Sequence, residues 1–180
     1  MQRKSLDEMT CPIARAVERV GDWWTILILR DAFQGLSRFD EFQKNLEIAP
    51  NILSRRLFQL VEDGLMERRR YSNHPPREEY VPTEKGRDFR SVMLAMLAWG
   101  NRHYAPEGKS IVLIDGETGR EVDPVLVDPV TGRPVTEYPY RTAAGPAADE
   151  RTRLRLAHKA ARSSEEPAPR EPAPRESANV

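Results

Sequence analysis

The sequence predicts a mainly α-helical fold with one small β-hairpin, on three observations. In the first, Pro50 opens a run in which Leu53, Leu57, Leu60 and Val61 recur at helical spacing. Asn51, Ser54, Arg55, Phe58, Gln59 and Glu62 fall on the opposite face of that run. In the second, residues 66–72 and 78–82 read as short strands around the turn-rich tip Asn73-His74-Pro75-Pro76-Arg77. In the third, the brief connection Glu47-Ile48-Ala49 joins the Pro50 helix to an amphipathic helix before it, as in a helix-turn-helix. Two such helices followed by a hairpin with Arg at its base and tip have the layout of a winged helix.

The remaining elements follow in order. Ile13, Val17 and Val20 mark a short helix that begins near Pro12 and breaks at Gly21. Residues 1–10 before it read as a mobile arm. Asp22 is the expected cap of a helix over residues 23–34, so apolar on several sides that it should be central and buried. Its Trp23–Trp24 pair suits a core or dimer contact better than a ligand platform. Gly35 ends that helix, and Ser37 is the expected N-cap of the next, which packs through Phe39, Phe42 and Leu46. After the hairpin, Thr83 caps a long helix running to about Tyr104, with an apolar seam of Phe89, Val92, Met93, Met96, Leu97 and Trp99. A seam of this kind finds its burial on a second subunit, and a symmetric dimer suits a pseudo-palindromic DNA site. Its Met content also leaves room for a small-molecule effector.

The chemistry of the Pro50 helix points to DNA. Arg pairs bidentately with guanine, and Asn or Gln with adenine. Arg68, Arg69, Arg70 and Arg77 on a projecting hairpin suit phosphates or a minor groove. A solvated helix face and a charged hairpin that resists edge aggregation would need the same residue types. With 28 basic and 28 acidic residues the formal net charge is +0, so any basic surface must be local. No apolar run approaches the ~20 residues of a membrane span. The N-terminal residues lack a secretory apolar core, so a cytoplasmic location and no membrane partner are expected. The absence of a Gly-rich phosphate loop and the scatter of His74, His103 and His158 argue against an enzyme and against any cofactor.

From residue 109 to 140 the character changes. Val112-Leu113-Ile114-Asp115 with Thr118-Gly119-Arg120-Glu121-Val122 recurs as Val125-Leu126-Val127-Asp128 with Thr131-Gly132-Arg133-Pro134-Val135. Each copy reads as a β-hairpin, and two hairpins need an outside surface to pack on. Their turn carboxylates, Asp115, Glu117, Asp123 and Asp128, lack calcium-loop spacing and have no His or Cys beside them, so no metal site is expected. Residues 143–180 are rich in Ala, Pro, Arg and Glu, and disorder is the expectation for most of that tail. A charged helix over 147–162 is the one element it could form; the tail ends in two Glu-Pro-Ala-Pro-Arg repeats, at 166–170 and 171–175.

These blocks occur in one order: Cys-Pro-Ile at 11–13, GDWWTILILRDAF, the RF–F–L helix, LSRRL, EDGL, PPREEY and PTEKG. Over roughly residues 9–105 the chain resembles the HxlR-type transcriptional regulators, bacterial winged-helix proteins of MarR-like architecture. The resemblance implies a homodimer, built through the N-terminal helix and helix 83–104, that binds double-stranded operator DNA and represses or activates nearby genes. Repression is the commoner expectation. Carried over by position, Asn51, Ser54, Arg55 and Gln59 lie on the recognition helix, with Arg68 and Arg70 in the wing and His74 and Arg77 at its tip. Arg56 either touches phosphate or braces the helix through an internal ion pair.

The resemblance also draws attention to Cys11, because many members carry a cysteine before Pro at this place and some sense oxidants through it. It is the sole cysteine, so no intramolecular disulfide is possible. A position at a helix start, with Arg15 one turn on, favours the thiolate. A small buried residue at a dimer contact is the alternative reading. For the whole chain, the reading that competes with sequence-specific DNA binding is a winged-helix module that holds a protein partner.

Overall fold

The computed structural model describes residues 5–136 and 140–165. The chain divides into two compact units, Met1–Tyr140 and Arg141–Val180. In the first, helices α1 (Pro12–Val20), α2 (Trp23–Phe33), α3 (Phe39–Leu46) and α4 (Pro50–Glu62) precede a hairpin of β1 (Met66–Asn73) and β2 (Pro76–Pro82). Helices α5 (Glu84–Asp88) and α6 (Arg90–His103) follow, and then a ribbon of β3 (Leu113–Ile114) and β4 (Glu121–Val122). The winged helix-turn-helix class expected from the sequence is the class observed.

The core is drawn from α2, α3, α4 and the start of β1. Ile28, Leu29, Phe42, Leu53, Leu57, Leu60 and Met66 are buried, with Trp24, Phe39, Tyr80 and Phe89 packed around them. Helix α2 is central, as its breadth of apolar residues implied. It also buries a charge that the sequence pattern did not announce. Asp31 has no exposed surface; it accepts from Arg30 Nε at 2.9 Å and from Asn45 Nδ2 at 2.7 Å. A carboxylate taken out of water is tolerated only when its oxygens are met in this way. The pair ties α2 to α3.

Several boundaries are set by hydrogen bonds. Asp22 accepts from Trp24 N–H at 3.0 Å, the cap expected for α2. The cap of α3 is Arg38 rather than Ser37. Glu41 reaches back to accept from the N–H groups of Ser37 and Arg38, at 3.0 and 2.9 Å, and so satisfies two orphan donors from inside the helix. The Ser37 hydroxyl is spent elsewhere, on Glu79 at 2.9 Å. The tight turn between α3 and α4 begins at Glu47, whose φ of 50° is left-handed, and it buries Ile48. Gly64, at φ 67°, ends α4 as expected.

The long helix expected from Thr83 to Tyr104 is broken at Phe89 into α5 and α6. Phe89 packs on the core while α6 has no buried residue. The break therefore lets one ring turn inward before the exposed seam begins. Thr83 caps α5 by accepting from Gly86 N–H at 3.0 Å, and its hydroxyl donates to Gly64 O at 2.7 Å. One side chain thus closes the end of α4 and opens α5.

The expected mobile arm spans residues 1–10, of which residues 5–10 are described. They are held to α1, where Arg19 pairs with Asp7 at 2.8 Å and Arg15 Nε donates to Met9 O at 2.6 Å. In the extension, the first hairpin has two-residue strands and the second is a single bridge between Val127 and Pro134. Turn carboxylates hold both: Asp115 accepts from Glu117 and Thr118 N–H, and Asp128 from Val130 N–H and the hydroxyls of Thr131 and Tyr140. Asn101 of α6 donates to Ile111 O at 2.9 Å, which fixes the start of the extension to the helix before it.

The second unit contains α7 (Glu150–Glu165). Asp149 accepts from Thr152 N–H at 2.7 Å at its start. The charged helix that the sequence allowed over 147–162 is therefore formed, shifted by three residues, within the tail expected to be mostly disordered. The two Glu-Pro-Ala-Pro-Arg repeats lie outside the described residues. Among the described residues no helix is long and apolar enough to cross a membrane, and no group of three or more His, Cys, Asp or Glu is arranged to hold a metal.

Candidate nucleic-acid interface

Helix α4 presents the face that its sequence implied. Leu53, Leu57 and Leu60 are buried, and Asn51, Ser54, Arg55, Phe58 and Gln59 are exposed. Pro50 stands at the first helical position, where its missing N–H costs nothing. Among the described residues nothing covers Asn51, Ser54 or Arg55, and their side chains make no hydrogen bond or ion pair. Gln59 is engaged, its Nε2 donating to Asp63 Oδ2 at 3.1 Å on the surface of the same helix.

Arg56 faces another way. It is half-buried, and its Nη2 lies 2.6 Å from Asp22 Oδ2. This is the internal ion pair, one of the two roles open to it in sequence. Its guanidinium is committed inward, with Nε buried and lacking a hydrogen-bond partner. Asp22 spends one oxygen on capping α2 and the other on Arg56. Helix α4 is thereby fixed to α2 by a charge-assisted bond on its inner side.

The wing is positioned by Ser37. Its backbone O accepts from Tyr80 N–H at 2.6 Å while its hydroxyl donates to Glu79. These bonds dock β2 on the loop before α3, and Tyr80 turns into the core. Arg38 lies 4.6 Å from the centroid of the Tyr71 ring, a cation–π contact that joins the same loop to β1. None of these links was visible in spacing, because each pairs residues more than thirty positions apart.

The hairpin is antiparallel, pairing Met66 with Pro82 and Asn73 with Pro76, with a register shift between Arg70 and Ser72. Both strands run further toward the tip than the sequence suggested, which narrows the turn to His74-Pro75. Arg68 approaches Glu78 at 3.4 Å, and Arg69 is paired with Glu67. Arg70, His74 and Arg77 are exposed, and among the described residues none of their side chains makes a hydrogen bond or ion pair. Arg77 has moved from the expected tip into β2, where it sits opposite Ser72. Glu41, beneath the wing, has its carboxyl held below the ordinary range because the N–H groups of Ser37 and Arg38 both donate to it.

Cys11 is the N-cap residue of α1 and is half-buried. Arg15, expected to favour its thiolate, is anchored on the Met9 carbonyl. Phe58 also stands on the outer face of α4, 63% exposed, an apolar ring among polar side chains.

The same layout recurs in known proteins. The HxlR-like helix-turn-helix family model matches residues 19–108. The chain is 42% identical to Rv3095 of Mycobacterium tuberculosis, an uncharacterised helix-turn-helix-type transcriptional regulator, over 71% of this chain and 84% of that protein. Among solved structures it is similar to PA1374 of Pseudomonas aeruginosa, described as a candidate transcription factor. That match has 56% identity, covers 81% of this chain and 100% of the other, and has a TM-score of 0.58. A second candidate transcription factor, PA1607, superposes with a TM-score of 0.70 at 35% identity, covering 79% of this chain and all of its own. Coverage that wide reaches past residue 108, where the family model ends. The family and these relatives are transcriptional regulators, not enzymes. With a helix-turn-helix whose second helix is polar outward and braced inward, beside a docked basic wing, the chain belongs to the HxlR-like helix-turn-helix family of DNA-binding transcriptional regulators.

Proposed function

We propose that the protein is a homodimeric, sequence-specific repressor that reads a pseudo-palindromic operator with α4 in the major groove and the β1–β2 wing on the flanking backbone. The observation that carries this reading is the contrast among the arginines. Arg55, Arg70 and Arg77 project without a protein partner among the described residues, while Arg56 and Arg69 are committed to carboxylates. Uncommitted guanidiniums on one helix and the adjoining hairpin suit base edges and phosphates. Asn51, Ser54 and Arg55 read bases; Arg70, Arg77 and His74 hold the duplex.

The dimer is supported by what α1 and α6 leave in solvent. Ile13 is 73% exposed on α1, and Val92, Met96 and Trp99 are about half exposed on α6. An apolar row of that length on a helix with no buried residue finds burial on a second copy. A two-fold axis then presents two α4 helices to two half-sites.

The test is fluorescence anisotropy on the intergenic DNA upstream of the protein's own gene, at several salt concentrations, beside a scrambled duplex. A preference of about a thousandfold or more for one site supports the proposal. Salt-steep binding without preference would leave DNA as the partner and move the operator elsewhere. No binding at low salt would favour a protein-interaction module.

A further inference from the structure

Phe58 is the one large apolar side chain of α4 that the fold does not use. Ile52, Leu53, Leu57, Leu60 and Val61 all pack in or against the core, whereas Phe58 is 63% exposed. On the helix surface its neighbours are Ser54 four residues before, Arg55 three before, Glu62 four after and, toward the core edge, Val61 three after. Its ring therefore stands in the middle of a polar face, on the side of α4 away from the Leu53–Leu57–Leu60 stripe. The edges of the bases in the major groove offer one apolar group, the 5-methyl of thymine.

We infer that Phe58 is a specificity-determining residue whose ring packs on a thymine methyl, between the polar contacts made by Asn51, Ser54 and Arg55. The inference rests on the proposed DNA-binding role and adds a base identity to it. A phenylalanine that merely tolerates solvent gives no dependence on one methyl group, and one lying against sugar or phosphate is indifferent to it as well.

The experiment uses the full chain. Duplexes that it binds are selected from a random library, and each thymine of the selected site is replaced by uracil at symmetric positions, which removes only the methyl. Affinities are then measured for the wild type, Phe58→Ala and Phe58→Leu. The expected result is a thymine at which uracil weakens wild-type binding by about fourfold per half-site, the ratio for one buried methyl. The same change should leave Phe58→Ala unaffected and Phe58→Leu partly sensitive. Thermal melting should show all three folded alike, since the side chain lies outside the core. If uracil has the same effect on wild type and Phe58→Ala at every position, the inference is overturned while the DNA-binding reading stands. If the wild type selects no sequence at all, both fall.

Discussion

Asp22 Oδ2 and Arg56 Nη2, 34 residues apart in sequence, lie 2.6 Å from each other and bind the recognition helix to the N-terminus of α2. The same carboxylate caps α2 through its other oxygen. Replacing Asp22 by Asn preserves a good capping residue and removes the charge, so it isolates the brace. Asp22→Asn and Arg56→Ala should each lower stability by about 1.5–3 kcal/mol, the range for a hydrogen bond to a charged group, read as a shift in urea midpoint. Neither should alter the salt slope of DNA binding. A slope that falls by about one with Arg56→Ala would restore a phosphate contact to Arg56.

Arg77 and Arg55 should separate affinity from sequence choice. Arg77→Ala should weaken binding to all sequences and lower the salt slope by about one. Arg55→Ala should cost about 1–3 kcal/mol at one base position and relax preference there. Competition among point-substituted duplexes distinguishes the two patterns. A uniform loss from Arg55→Ala would remove it from base reading.

Gly86 is buried, and a Cβ built on it would lie 2.0 Å from the Leu65 carbonyl oxygen. Leu65 O also accepts from Thr83 N–H at 3.1 Å, so the backbone there is held from both sides. Gly86→Ala must displace one strand of chain from the other. A loss of about 1–3 kcal/mol is expected, measured by chemical denaturation.

Asp31 and Asn45 predict a second stability effect. Asn45→Ala removes a donor at 2.7 Å from a fully buried carboxylate. The expected cost is about 1–3 kcal/mol, the penalty for leaving a buried acceptor short of a partner. The double variant Asp31→Leu with Asn45→Ala should recover part of it, because no buried carboxylate then remains and the Arg30 side chain, 37% exposed, can turn to water.

Glu41 gives the pH dependence. Its folded-state carboxyl is held below the ordinary value of 4.5 by the N–H groups of Ser37 and Arg38. Its contribution to stability is therefore complete above that unfolded value and is lost as pH falls through the lower folded one. The difference in denaturation midpoint between the wild type and Glu41→Gln should be constant from about pH 7 to 5.5 and shrink at more acid pH. A difference that grows on acidification would contradict the capping geometry.

Local order was written in the chain. Leucines spaced by three and four made α4, Pro50 and Gly64 bounded it, and turn residues around Pro75 folded the hairpin, because each depends on neighbours a few positions away. The outward polar face of α4 was legible for the same reason, since helical periodicity alone assigns residues to sides. What joined these pieces depended on distant partners. Asp22 with Arg56, Asp31 with Asn45 and Ser37 with Glu79 meet only after the chain has packed, and sequence spacing carries no record of them. The break at Phe89 is of this kind too. Nothing local distinguishes Phe89 from the rest of its apolar seam, and it was the core's demand for one more ring that turned it inward. Sequence determined which residues face outward on α4 and the wing; packing decided which of the arginines are held by carboxylates.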